Sequence, residues 1–174
     1  MAKSSLQRRA SALQRGFAHG AKTVGGLVAL MWAIEIVDTV LGGRLDWFGV
    51  HPWDVNHLWG ILLAPFLHGG FAHLLANTIA GVPLALLTMV RKRMDFAVVS
   101  VVSALTAGMG AWFFGAPGSV HIGASGVIFG YLGFLLGRGV FVRRLGAVVV
   151  SLGVAAVYGT MIFGVLPGIP GVSW

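Results

Sequence analysis

The sequence contains no cysteine, which excludes a disulfide framework, thiol chemistry and any thiolate metal site. Charge is scarce too: 10% of the 174 residues are charged and only five are acidic. No histidine or acidic cluster has the spacing of three convergent ligands, so neither a metal ion nor an organic cofactor is expected. There is no internal repeat, which weighs against a small transporter or channel subunit built from paired, broken spans. A removable signal peptide is not expected either, because the first apolar segment is long, holds Glu35 and Asp38 and lacks a small-residue cleavage site.

What the chain has in excess is apolar surface. With 57% hydrophobic residues and a mean hydropathy of +0.88, it reads as an all-α membrane protein with several spans. A net charge of +7 in so apolar a chain points to anionic lipid headgroups rather than nucleic acid. A bilayer-crossing helix needs about 20 mostly apolar residues. Five segments meet that need, at 23–41, 70–90, 95–115, 123–140 and 145–166. Eleven of the twelve basic residues fall on the amino-terminal tail (Lys3, Arg8, Arg9, Arg15, Lys22), the second-to-third connection (Arg91, Lys92, Arg93) and the fourth-to-fifth (Arg138, Arg143, Arg144). Only Arg44 lies on the other side. The positive-inside rule then puts the amino terminus in the cytoplasm and the carboxyl terminus outside, in a multi-pass protein of the plasma (inner) membrane. Residues 1–22 are expected to form a basic cytoplasmic tail, and 23–174 the transmembrane domain.

The first outside connection, "LDWFGVHPWDVNHLWGILLAPFLHGG", sets Trp47, Phe48, Trp53, Trp59 and Phe66 among polar residues and Pro52 and Pro65. It is too broken to span and too apolar to float in water, so it should lie in the interface. It is either an anchoring belt or the rim and lateral gate of a site beneath it. Polar residues within spans are costly and informative. His73 and Asn77, four apart, share one helix face near the outer end of the second span; they either bond a neighbouring helix or serve a site. His68 sits at the turn before that span as a capping or structural residue. Asp38 is near enough to the outer surface to be solvated, whereas the deeper Glu35 pairs with a polar neighbour or marks a proton or ion pathway.

The fourth span starts with "HIGASGVIFGYLGFLL", in which Ser125 stands between Gly123, Ala124 and Gly126. Ser125 is either a helix N-cap or a nucleophile whose surroundings leave amide groups free to face an attacked carbonyl. Gly126 with Gly130, and Gly133 with Gly137, form two G-x-x-x-G pairs suited to close helix approach.

"HLLANT" followed by "GASG" at the start of a later span resembles the rhomboid family of intramembrane serine proteases. The likeness covers the chain from about His68 onward, together with the broken outside loop and the layout of spans. It implies a rhomboid-like helical bundle, with five transmembrane helices present of an expected six. It also implies an intramembrane serine endopeptidase that cuts transmembrane helices of membrane-protein substrates. By that resemblance Ser125 is the nucleophile, His73 and Asn77 with the Ser125 amide form the oxyanion hole, and Gly123 and Gly126 shape the turn. The chain departs from the family pattern as well. The family's general base is a histidine early in a sixth span, yet no histidine follows His121. The tyrosine that many relatives carry four residues after the serine is Phe129, and the first loop has no adjacent Trp-Arg pair. Residues 1–174 are therefore expected to be inactive by themselves, as a protease domain incomplete at its carboxyl end. The alternative is a catalytically inactive rhomboid-like protein that binds membrane helices without cutting them.

Overall fold

The computed structural model describes residues 2–89, 93–142 and 144–159. Among these residues six α-helices carry the fold: α1 (Ala2–Val40), α2 (Gly60–Leu63), α3 (Phe71–Met89), α4 (Arg93–Phe114), α5 (Ser125–Val142) and α6 (Leu145–Tyr158). Among the described residues there is no strand, only one isolated antiparallel bridge between Val50 and His121. Four stretches of the described residues are long and apolar enough to cross a membrane: Gly16–Val40, Phe71–Met89, Arg93–Phe114 and Ser125–Val142. These match the first four expected spans to within a few residues except at the start of α1. Leu145–Tyr158 is a shorter apolar helix, and positions 160–166 of the fifth expected span lie outside the described residues.

The basic segment expected as a tail is helical and continuous with the first span. Its Ala, Leu, Gln, Lys and Arg are strong helix formers, and the first proline comes only at Pro52. Nothing therefore interrupts α1 at residue 22, and it runs for 39 residues.

Within a bilayer, apolar side chains gain little by leaving lipid for protein, so helices associate through close packing and small residues. α5 does this on three sides. Its Gly126 faces the Ala107 side chain and its Gly130 faces Ser103, both on α4, while Gly139 faces Ser151 of α6 and Ile128 fits against Gly81 of α3. The first expected glycine pair is thus a helix-packing seam. The second is not, since Gly133 meets nothing within 4 Å and Gly137 only Phe141 of its own helix. α1 packs on α3. The main apolar core gathers Leu84, Phe96, Ile128, Tyr131, Leu132 and Leu135. Phe96 and Tyr131 stack with ring centroids 5.6 Å apart, and the Tyr131 hydroxyl is satisfied by Ser100 Oγ at 2.6 Å.

The connection between α1 and α3 folds against one end of the bundle, called here the loop end. Its turns are locked by carboxylates: Asp38 Oδ1 accepts from the Leu45 amide at 2.6 Å, and Asp54 accepts from the Asn56 amide at 2.9 Å and from His57 Nδ1 at 2.6 Å. The Asn56 amide first, and His57 after it, hold the Asp54 carboxyl below its usual range. Asp38 is 4% exposed. It is not the solvated residue its position suggested, because the chain doubles back over it. Gly60 lies against the Gly49 backbone, where a Cβ has no room. Trp47, Phe48, Trp53 and Trp59 remain exposed, as aromatic side chains at a membrane interface do.

Candidate active site

Two helix starts meet at the loop end. α3 begins just after Gly70, which adopts φ +106°, and this turn brings His73 and Asn77 into the first two turns of the helix. α5 begins at Ser125, just after Gly123 at φ +117°. The Ile128 amide bonds the Ala124 carbonyl at 3.0 Å. Ala124 therefore holds the N-cap position, whose carbonyl accepts the first helical bond. Ser125 is the first residue inside the helix and not its cap, so its hydroxyl is released from that duty. Ser125 is also exposed.

The residues singled out in the sequence come together at Gly123. A Cβ on Gly123 would lie 2.8 Å from His73 Cε1, 2.9 Å from His73 Nε2 and 3.7 Å from Asn77 Nδ2. The peptide two residues ahead of Ser125 thus rests directly on the imidazole and amide of α3. Glycine is required there twice over, by its positive φ and by the absence of space. Asn77 Nδ2 is buried and has no hydrogen-bond partner. Gly126, by contrast, belongs to the seam with α4.

The segment leading into Ser125 is fastened to the loop by backbone hydrogen bonds. Val50 and His121 exchange two, each 2.9 Å, and the Gly123 amide donates to the Ala64 carbonyl at 2.9 Å. Trp53 and Trp112 add a further tie, the Trp53 amide to the Trp112 carbonyl at 3.2 Å, with Trp112 Nε1 donating to the Asp54 carbonyl at 3.1 Å. These partners carry no motif in the sequence, because backbone groups of any residue type can make such bonds.

His68 has a larger place than its sequence position indicated. It is 1% exposed, and its ring meets that of His73 edge-on with centroids 5.1 Å apart. Neither of its nitrogens has a hydrogen-bond partner. Burial, and next the neighbouring His73, push its pKa down to about 4, so it is neutral at physiological pH. His121 is turned away from the serine: its Nε2 lies against Gly115 and within 2.9 Å of Ser119 Oγ, and burial lowers its pKa. The other loop histidines are engaged as well, His51 with the Trp47 carbonyl at 2.7 Å and His57 with Asp54. Phe129, in the place of the family tyrosine, packs against the apolar core. Among the described residues no group of three or more His, Cys, Asp or Glu side chains is placed to hold a metal ion.

Comparison with known proteins adds two findings. Residues 55–174 match the Rhomboid domain family. The chain is also similar to mycobacterial proteins. It is 39% identical over 163 residues to the uncharacterized protein Rv1337 of Mycobacterium tuberculosis (strain ATCC 25618 / H37Rv), across 89% of this chain and 68% of that protein. The uncharacterized protein Mb1372 of Mycobacterium bovis gives the same figures. The uncharacterized protein ML1171 of Mycobacterium leprae is 37% identical over 163 residues, across 89% of this chain and 64% of that protein. No solved structure matches the chain.

Proposed function

Because the chain belongs to the rhomboid family, we propose that it carries the nucleophile and oxyanion hole of an intramembrane serine endopeptidase that cleaves transmembrane helices of membrane-protein substrates. The observation that carries this reading is the contact of His73 and Asn77 with Gly123, two residues ahead of an exposed Ser125 that does not cap its helix. In this reading Ser125 Oγ attacks a peptide carbonyl of a locally unwound substrate segment. The negative charge that develops on the carbonyl oxygen is met by Asn77 Nδ2–H, a His73 ring N–H and the Ser125 amide. Each such donor is worth on the order of 10² to 10³ in rate. The acyl-enzyme ester is then hydrolysed by water entering from the loop end.

Attack requires a base to take the Ser125 proton. His51, His57 and His121 are engaged elsewhere, His73 is assigned to the oxyanion, and His68 is buried with its pKa pushed down to about 4, a poor proton acceptor, so we assign the base to a histidine on a further span. The engagement of His121 by Ser119 also favours a second reading, a rhomboid-like protein that binds membrane helices without cutting them. A fluorophosphonate probe separates the two. Residues 1–174 are expected not to label at Ser125, whereas a version extended through a histidine-bearing sixth span labels and cleaves a test transmembrane substrate. In that version Ser125→Ala abolishes both, and Asn77→Ala raises the barrier by about 2.7 to 4 kcal/mol. An extended version that folds and never labels supports the binding protein instead.

The loop end is proposed to face outward, because eleven of the twelve basic residues fall on the opposite connections. Reporter fusions after Val90 and Val142 should behave as cytoplasmic and one after Pro117 as external. A cytoplasmic report after Pro117 would overturn the orientation.

A further inference from the structure

Among the described residues α1 packs on α3, and α4 packs on both α3 and α5, whereas α1 and α4 share no extensive contact. Between them lies a groove of about 370 Å³. Its walls are residues 24–31 of α1 and 96–105 of α4, its floor is Gly81, Ala85 and Ile128, and Leu62 and Phe66 close it at the loop end, where it reaches Asn77. We propose that this groove binds one acyl chain of a bilayer phospholipid.

Three observations lead to that occupant. The first is depth. Both walls and the floor lie inside the apolar stretches of the four long helices, so the medium in front of the groove is hydrocarbon, and a void left there would forfeit the dispersion contacts of its lining. The second is chemistry. The polar groups along the walls are already committed to one another: Trp32 Nε1 donates to Thr78 Oγ1 at 3.2 Å, Thr78 donates to the Leu74 carbonyl, and Ser100 pairs with Tyr131 and with the Phe96 carbonyl. Only methylene-like surface is left along the trough, with the Asn77 amide at its loop end. The third is size. At about 370 Å³ the groove falls in the range of small-ligand pockets, about 300 to 1,000 Å³, the scale of a single hydrocarbon chain.

This assignment is independent of the proteolytic reading, since it concerns the resting bundle. An acyl chain lying here touches the back of Asn77 and so backs the wall of the candidate site with lipid.

The test is photolabelling of the 1–174 chain in phosphatidylcholine vesicles that contain phosphatidylcholine bearing a mid-chain diazirine, with adducts mapped by mass spectrometry. Ala85 and Ile128, 5% and 3% exposed, are out of reach for lipid that merely coats the outer helix faces. They are expected to carry adducts, alongside the exposed Val98 and Val102. Filling the groove with Ala97→Trp and Ala104→Trp should cut the floor adducts at least fivefold relative to those on Val98 and Val102. If the double variant does not fold, Ala104→Phe alone should still halve them. Adducts confined to the outer faces, or floor adducts indifferent to the filling substitutions, would each overturn the proposal.

Discussion

At the far end of the bundle α3, α4 and α5 meet through Leu84, Phe96, Leu132 and Leu135, nearly all of it apolar surface. The loop end buries Glu35, Asp38, His51 and His68 and is laced by backbone hydrogen bonds that cross from the loop to the segment before Ser125. Packing is tolerant of small shifts and supplies most of the cohesion. Hydrogen bonds are directional and fix where a few atoms sit. The molecule therefore separates what holds it together from what positions its site, and the two ends should respond to mutation in different ways.

The largest effect on stability is expected at the far end. Leu84→Ala removes a side chain with 0% exposure and should lower unfolding stability by about 2 to 5 kcal/mol. Fluorophosphonate labelling per folded molecule of an extended, active version should be unchanged. Labelling that falls in step with stability would erase the distinction between the ends.

A smaller effect, with a pH signature, belongs to His68. Its folded pKa of about 4 lies below the ordinary 6.5, so between these values the unfolded chain binds more protons than the folded one. The stability tied to the neutral imidazole is complete above about pH 6.5 and is lost as pH falls towards 4, by at most about 3 kcal/mol. Asp46 acts in the opposite sense. Burial, followed by Asp38 and Glu35, raises its pKa from 3.8 to about 6, so its contribution to stability declines as pH rises through that interval. The wild-type profile mixes the two, and the difference between wild type and His68→Phe isolates the histidine. In denaturant titrations the phenylalanine variant should gain on wild type steadily from pH 6.5 to 4.5. A difference that does not vary with pH would mean that His68 is not buried as a neutral base in the folded state.

The smallest cost in stability and the sharpest sign of positioning are expected at Gly123. An alanine forced to φ +117° costs about 1 to 3 kcal/mol, and its Cβ would press on the His73 ring. Gly123→Ala in the extended version should therefore slow labelling by more than its modest loss of stability explains. Unaltered labelling would remove Gly123 from the site.

The contrast between the ends also decides what could be read in the sequence. The long helices were legible because the hydrocarbon thickness dictates their length and apolar character. His73, Asn77 and Ser125 were legible because polar residues are rare in such helices. The loop's path was not, since it is held by amides and carbonyls, as between Gly123 and Ala64, that leave no trace in side-chain identity. Asp38 looked solvated because its depth along α1 was legible and the chain folding back over it was not. Of two glycine pairs with the same spacing, only Gly126 with Gly130 meets a neighbouring helix. Spacing specifies a face, and the partner specifies its use.

If the chain acts as the protease proposed above, the bridge between Val50 and His121 bears on the order of events in turnover. Two hydrogen bonds at 2.9 Å couple the aromatic loop to the strand-like segment that ends at Gly123, so a shift of one pulls on the other. Any swing of the loop wide enough to admit a helix end either breaks that coupling or carries Gly123 off His73. In the proposed protease, admission and oxyanion stabilisation would then be mutually exclusive unless the bridge itself gives way. On that reading, and with the bridge intact, a substrate would have to enter, wait for the loop to return and only then react, so a slow closing step would discriminate among helices by how long they linger rather than by the residues at the bond to be cut.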